Sequence, residues 1–471
     1  MMYTPVMGLE IHAELLTKTK VFCRCKNEFG GEKNTRICPR CAGLPGALPI
    51  LNKEAVTLAV RAGIALGCRI NRYSAFDRKN YFYPDLPKAY QITQFEYPIC
   101  EEGSVEVLGK TVRVNRIHIE EDAGKLIHGE KGTEIDFNRC GVPLIEIVTE
   151  PDFSTTDEVV AFVDEVSRRL KFADVCDCRL EQGSLRVDVN ISLKPEEAET
   201  LGVRAEIKNL NSRKSIRRAI EYEIKRQSEI LASGGEVDRE TRRFSEETGK
   251  TSSLRGKEDA NDYRYFHEPD LPGIEISQAE VEEIASGMPE MPQARYKRYI
   301  ELGISPADAD LILTDRDFSD LFDGAVGIFK SPKTIANLML GELSRKLNES
   351  GKSAGEIEFS ADDLAEIAKM SDSEKVSKQA AREILSVMFD NGGNPEKIAN
   401  ERGLFLSDDK DRVALVVAEV LAENQENVRE YKNGVAKLFG FFMGEIMRRL
   451  GGSGNPKTVK EELTKQLTSI D

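Results

Sequence analysis

The sequence predicts an α+β chain, a strand-rich first part followed by an all-helical remainder, and three observations carry that prediction. Up to about residue 290, short stretches alternate apolar and polar residues between Gly- and Pro-rich turns. Beyond MPEMPQARYKRY (288–299) the apolar spacing lengthens to a helical period with few strand signals. At 471 residues and 40% hydrophobic, the chain also exceeds the usual ceiling for one domain. Domains are expected at 1–293, 294–407 and 408–471. The last boundary rests on LFLSDDKDR (404–412), where Ser407 and two aspartates would cap a helix beginning around Val413.

The strands define a pattern from the start. In GLEIHAEL (8–15) side chains alternate between faces, so Glu10, His12 and Glu14 share one face while Ile11, Ala13 and Leu15 share the other. VNRIHIEED sets Arg116, His118 and Glu120 together, and PLIEIVTEPD adds Glu146 and Glu150. SLRVDVNISL (184–193) places Arg186, Asp188, Asn190 and Ser192 opposite Leu185, Val187, Val189 and Ile191, and VRAEIKNL places Arg204, Glu206 and Lys208 opposite Val203, Ala205 and Ile207. One such strand is an ordinary sheet with a wet face. Five together describe a polar basin that gathers cations and phosphates.

Carboxylates with an occasional histidine are hard ligands, which suit Mg²⁺, and Mg²⁺ completes its octahedron with water and substrate phosphate. Arginine and lysine on neighbouring strands suit phosphoryl transfer, which is catalysed by positioning and charge neutralisation. The basin therefore reads as an ATP-dependent site. TGKTSS (248–253) is not a phosphate-binding P-loop, because Phe244 stands where that motif needs glycine. Separately, Cys23, Cys25, Cys38 and Cys41 give Cys-x-Cys, twelve residues, Cys-x-x-Cys, a set of four thiolates for a structural tetrahedral Zn²⁺, with four free thiols as the alternative. Cys176 and Cys178 lack a second pair and read as small buried or loop residues.

Other stretches constrain the class. The net charge of −15 argues against indiscriminate binding along nucleic acid, although residues 213–226 and 432–460 are locally basic. No apolar run approaches the roughly 18 residues of a membrane span, and MMYTPVMGLE lacks a basic start before an apolar core, so a soluble cytoplasmic protein is expected. The polar stretch from Gly234 to Asp262 reads as a mobile loop beside a functional surface. DRKNYFYPDLPKAYQITQFEYP (77–98) interleaves aromatics with cations, which suits base stacking or merely an extended loop packing itself down.

GLEIHAEL, FDRKNYFYPDLPKAYQITQ, IHIEEDAGKLIH, NRCGVPLIEIVTEPD, RVDVNISL, RAEIKNLNS and RGKEDANDYRYF, in this order, resemble the B subunits of bacterial aspartyl/glutamyl-tRNA amidotransferases. KNGVAKLFGFFMGEIMRRL followed by GGSGNPKTVKEEL resembles the tRNA-binding tail of that family, so the likeness runs nearly end to end. Cys140, where a small apolar residue is usual, and His267, where proline is expected, depart from the pattern. The resemblance implies a cradle domain similar in fold to glutamine synthetase, with a mixed or antiparallel sheet. It implies a kinase and transamidase that phosphorylates the side-chain carboxylate of Glu on tRNA(Gln), or of Asp on tRNA(Asn), with ATP and Mg²⁺; ammonia then displaces phosphate.

By the same resemblance His12 and Glu120 or Glu146 bind Mg²⁺, with Glu121 and Glu150 as further metal candidates. Glu10, Asp188 and Glu206 are catalytic neighbours, Arg186, Arg204 and Lys208 neutralise phosphate, and Lys79 and Lys88 stand where ammonia arrives. The chain offers no amidase-like nucleophile motif. A separate glutaminase subunit is therefore the implied ammonia source, with a third, small subunit wrapped around the pair. Lys437, Arg448, Arg449 and Lys457 are the expected tRNA phosphate contacts. Two rivals remain: a free-standing amide ligase for a small acid, and a non-catalytic tRNA-binding scaffold.

Overall fold

The computed structural model describes residues 3–129, 131–255, 262–406, 410–450 and 454–469, of Arg255 the backbone alone. The chain divides into two compact units, 1–292 and 293–471. The first is built on a nine-stranded mixed sheet. In spatial order its strands are Lys250–Arg255, Glu240–Ser245, Ala205–Leu210, Leu185–Pro195, Tyr3–Glu14, Pro143–Thr149, Lys110–Glu121, Cys100–Val107 and Arg69–Ile70. Tyr3–Glu14 is central and runs antiparallel to both neighbours. Ala205–Leu210 and Glu240–Ser245 pair in parallel.

Alternation sorts the two faces of this sheet. Leu9, Ile11, Ile117, Ile145, Ile147, Val187, Val189 and Ile207 are all at most 1% exposed and form one core with helices Lys53–Ala65, Thr156–Phe172 and Arg213–Ala232. Those helices begin where capping chemistry allows. Thr155 and Glu158 form a capping box, and the Ser212 hydroxyl accepts from the Ser215 N–H. With helices on the apolar face, the polar residues of the same strands are left facing an open basin.

Between Val187↔Leu210 and Val189↔Ile207 the register slips, so Lys208 and Asn209 together oppose Asp188. Asn209 absorbs this bulge with φ of 70°, a left-handed conformation that Asn tolerates better than most residues, and its amide donates to the Phe244 carbonyl at 2.9 Å. A second, three-stranded sheet of Phe266–His267, Asp77–Asn80 and Tyr90–Thr93 carries Lys79 to the basin. Glu268, with no exposed surface, takes Arg78 in a bidentate pair at 2.7 and 2.9 Å and fastens this layer.

The stretch from Gly234 to Asp262 is not the expected loop throughout. Glu240–Ser245 and Lys250–Arg255 pair antiparallel and extend the main sheet. Their inward face sets Arg242 and Thr251 beside Phe244, a single apolar residue that makes no hydropathy pattern: Arg242 Nε lies 2.9 Å from the fully buried Glu223, and Thr251 also donates to that carboxylate. Residues 256–261 of this stretch lie outside the described residues.

The second unit is helical among the described residues. Within it Val413, Val417, Val420, Leu421, Phe442, Ile446, Val459 and Leu463 form a core of their own. The capping residues expected at 407–409 lie outside the described residues, and the helix there is Lys410–Glu423, earlier than Val413.

Candidate active site

The basin floor follows from register. His12 stands opposite Glu146 on one side and Arg186 on the other, Glu146 stands opposite His118, and Glu10 stands opposite Asp188. Side chains on directly opposed residues lie close enough to interact, so four strands suffice to cluster these groups.

His12, Glu120 and Glu146 offer ligand atoms that all lie within 4.8 Å of one another. His12 Nε2 is 3.5 Å from Glu120 Oε1 and 3.5 Å from Glu146 Oε2. These separations fall between the roughly 3.0 Å and 4.2 Å ligand–ligand distances of an octahedron with ~2.1 Å bonds, and the donor set is hard, so the cluster fits Mg²⁺. Burial alone would push the His12 imidazole down. Its hydrogen bond to Glu146, and the charges of Glu146 and Glu120, outweigh burial and lift it to about 9. Burial likewise opposes ionisation of Glu146, yet His118 and His12 hold its carboxyl well below the usual range. His118, unnamed among the expected site residues, is 3.2 Å from Glu146 Oε2 and 4.0 Å from Glu120 Oε2. The alternation of VNRIHIEED already set it on this face.

A second acidic cluster lies alongside. Glu10, Asp188 and Glu206 also bring ligand atoms within 4.8 Å. Here a cation of the chain is already in place: Lys208 Nζ is 2.6 Å from Asp188 and 2.8 Å from Glu206. The bulge at Asn209 aims it there. Burial works against the Lys208 charge, but Asp188 and Glu206 hold its pKa above the ordinary lysine value, and Lys208 in turn draws Glu206 down against burial. Glu10 accepts from Asn190 at 3.0 Å and is raised by burial and by the nearby charges of Glu146 and Glu206.

The two clusters border cavities of about 720 and 880 Å³ that share His12, Lys79, Glu120, Lys208, Thr241 and Tyr263. Arg204 lines the smaller cavity together with Arg116 and Arg239, two cations that were not among the expected site residues. Arg186 lines the larger one and is tied to buried Asp122 at 2.8 Å. Lys79 faces both cavities, its ammonium 4.9 Å from the Tyr263 ring centre. Tyr263 and Tyr265 fall in the family-like stretch RGKEDANDYRYF, but no alternation pattern placed them on the basin, because chain folding alone brings them beside strands 50 to 250 residues away.

Three expected residues stand elsewhere. Glu121 follows Glu120 and so points to the opposite side of its strand, where it pairs with Lys88 and accepts the Ile92 N–H at 3.0 Å. Lys88 is drawn away from the two cavities by that pair. Glu150 lies past the strand end and accepts from Asn115 at 2.6 Å, away from His12.

The four cysteine sulfurs lie within 4.8 Å of one another, with Cys38 and Cys41 Sγ at 3.8 Å. A tetrahedron of ~2.3 Å zinc–sulfur bonds has edges of about 3.8 Å, so the set fits zinc with no position left open. Cys140 closes over the group, its thiol donating to the Cys41 carbonyl at 3.2 Å. Cys176 and Cys178 are buried.

In the second unit Lys437 and Lys457 are exposed. Arg448 pairs with Glu445 at 2.6 Å, and Arg449 pairs with Glu423 and approaches Glu445 at 3.5 Å. Solvent screens pairs of this kind, so they hold the arginines only weakly.

The sequence matches the GatB/GatE catalytic domain over residues 5–282 and the GatB domain over residues 320–467. It is similar to the B subunit of the aspartyl/glutamyl-tRNA(Asn/Gln) amidotransferase of Ruminiclostridium cellulolyticum, 47% identical with 100% of this chain and 98% of that protein aligned. The protein of the same name from Caldicellulosiruptor saccharolyticus is also 47% identical, with both chains fully covered, and that of Nitratidesulfovibrio vulgaris is 45% identical over 99% of each.

Proposed function

The chain belongs to the GatB/GatE family, and from that membership and the basin we propose that it amidates misacylated tRNA in translation. On this reading the first unit is a glutamine synthetase-like cradle that takes ATP and the 3′ end of Glu-tRNA(Gln) or Asp-tRNA(Asn). The observation that carries it is one sheet face holding two acid clusters beside arginines, an arrangement suited to a triphosphate and a carboxylate.

The side-chain carboxylate oxygen attacks the γ-phosphorus, the bond to the β-phosphate oxygen breaks, and ADP leaves. Ammonia then attacks the carbonyl carbon of the acyl phosphate, inorganic phosphate leaves, and nitrogen loses a proton to give the amide. Arg204, Arg239 and Arg116 would neutralise the phosphoryl oxygens in flight. Lys208 is committed to Asp188 and Glu206, so its part is to keep two acids from repelling a third beside them. Magnesium at His12, Glu120 and Glu146 supplies charge neutralisation for the phosphates when bound. Lys79, set against Tyr263 at the wall of both cavities, borders the route by which ammonia arrives from a glutaminase subunit, with a third, small subunit completing the assembly. Zinc holds the Cys23–Cys41 loop.

Lys437, Arg448, Arg449 and Lys457 would grip tRNA phosphates. No described helix is long and apolar enough to cross a membrane, and a cytoplasmic site of action accords with a tRNA substrate. ATP hydrolysis by the complete complex tests the proposal. Turnover is expected to require Mg²⁺ and charged tRNA together, and tRNA-independent turnover with free glutamate would point instead to a small-acid ligase.

A further inference from the structure

Lys20 is a charged side chain that the reaction above does not use. It has no exposed surface, and its ammonium lies 3.8 Å from Cys41 Sγ and 3.3 Å from the Phe137 carbonyl oxygen, to which it donates. Among the described residues no carboxylate forms an ion pair with it. The two acids lining the same small cavity are taken by other cations, Glu121 by Lys88 and Asp270 by Arg78. A buried ammonium without an anion is strongly disfavoured.

The four cysteines supply the missing charge. Four thiolates around one divalent ion leave a net charge of −2, and here that excess sits in a largely buried corner. Cys41 is the sulfur that receives most support, taking the Cys38 N–H at 3.1 Å as well as Lys20. We propose that Lys20 is the counter-charge of the four-cysteine metal centre, a positioning residue that stabilises the anionic cluster and quiets the Cys41 sulfur. This rests on the zinc reading above.

Two consequences separate it from packing. Without Lys20 the metallated state loses its compensating charge while the metal-free state does not, so metal affinity falls. The metal-bound Cys41 sulfur, relieved of a donor, also becomes the better nucleophile. The experiment compares wild type, Lys20→Met and Lys20→Arg in the full chain, by zinc competition with a chromogenic chelator and by iodoacetamide alkylation of the zinc-loaded protein, with sites mapped by mass spectrometry. Lys20→Met is expected to bind zinc at least about tenfold more weakly and to alkylate faster at Cys41, and Lys20→Arg, which keeps the charge, to restore most of both.

Wild-type affinity and alkylation rate in Lys20→Met would overturn the proposal. So would a Lys20→Arg variant as weak as Lys20→Met, or melting temperatures lowered equally with and without zinc. A wild-type protein that retains no zinc and shows no thiolate-to-metal band with cobalt would overturn both this inference and the zinc reading.

Discussion

At the scale of single residues, the basin is governed by which groups must lose or keep a proton. His12 binds a metal only as the neutral imidazole, and in the metal-free basin its neighbours hold the proton until about pH 9. Metal binding must therefore expel that proton at neutral pH. Mn²⁺ affinity of the metal-free protein, followed by electron paramagnetic resonance, should rise by roughly tenfold per pH unit from 7 to 8 and level off near 9; a flat profile would remove His12 from the ligand set. Without metal the sign for the fold is opposite. A histidine whose folded pKa lies above 6.5 contributes stability that is present below pH 6.5 and lost by about 9, so metal-free protein should weaken across that window as the metal gains. Replacing either acid, Glu120→Gln or Glu146→Gln, should lower charged-tRNA-dependent ATP turnover by about a hundredfold or more while leaving tRNA binding by the tail intact.

Residue identity on this face was legible because strand alternation is strict. Alternation put His12, Glu120 and Glu146, from three separate stretches of sequence, on polar strand faces, and the family resemblance grouped them as metal ligands. The same rule excludes Glu121, whose neighbour Glu120 already claims the basin side, and it could have included His118 and Arg116. Arg239 and Tyr263 had no such signal, since they reach the cavities from irregular chain.

Elements decide how those residues are aimed. The bulge at Asn209 turns Lys208 onto Asp188, and only a residue tolerant of φ near +70° serves there. Asn209→Val should therefore destabilise the first unit by about 1–2 kcal/mol more than Asn209→Gly, read from urea unfolding. The Glu240–Ser245 and Lys250–Arg255 hairpin depends on a different device. Its buried face is closed by Glu223, which has no exposed surface and holds Arg242 and Arg226 at 2.9 Å each. Glu223→Ala leaves Arg242 and Arg226 to share Glu240 alone and strips Thr251 of its acceptor, and should cost about 1–3 kcal/mol. A strand pair whose inward side offers Phe244 alone beside Arg242 and Thr251 makes no hydrophobic pattern, which is why the sequence read as loop there. The five strands of the basin carried Val, Ile and Leu on the inward side and were visible for that reason.

For the whole molecule, a chain of net charge −15 must confine its contacts with RNA to local cations. On the proposed function, Lys437→Ala and Lys457→Ala should each weaken tRNA binding and reduce the steepness of its salt dependence by about one unit, without altering the acidic basin. The division into a sheet-rich unit and a helical one followed from the change of apolar period near residue 290. How the layers close over the basin did not, because that depends on pairs such as Arg78–Glu268, formed by residues 190 positions apart.

On the proposed mechanism the basin transfers a phosphoryl group to the side-chain carboxylate before nitrogen arrives. Glu-tRNA(Gln) charged with glutamate bearing ¹⁸O in its side-chain carboxylate, given ATP, Mg²⁺ and ammonia with the complete complex, tests this directly by mass spectrometry of the released phosphate. One ¹⁸O per phosphate for each Gln-tRNA formed is the predicted result. Amide formed with phosphate free of ¹⁸O would contradict it.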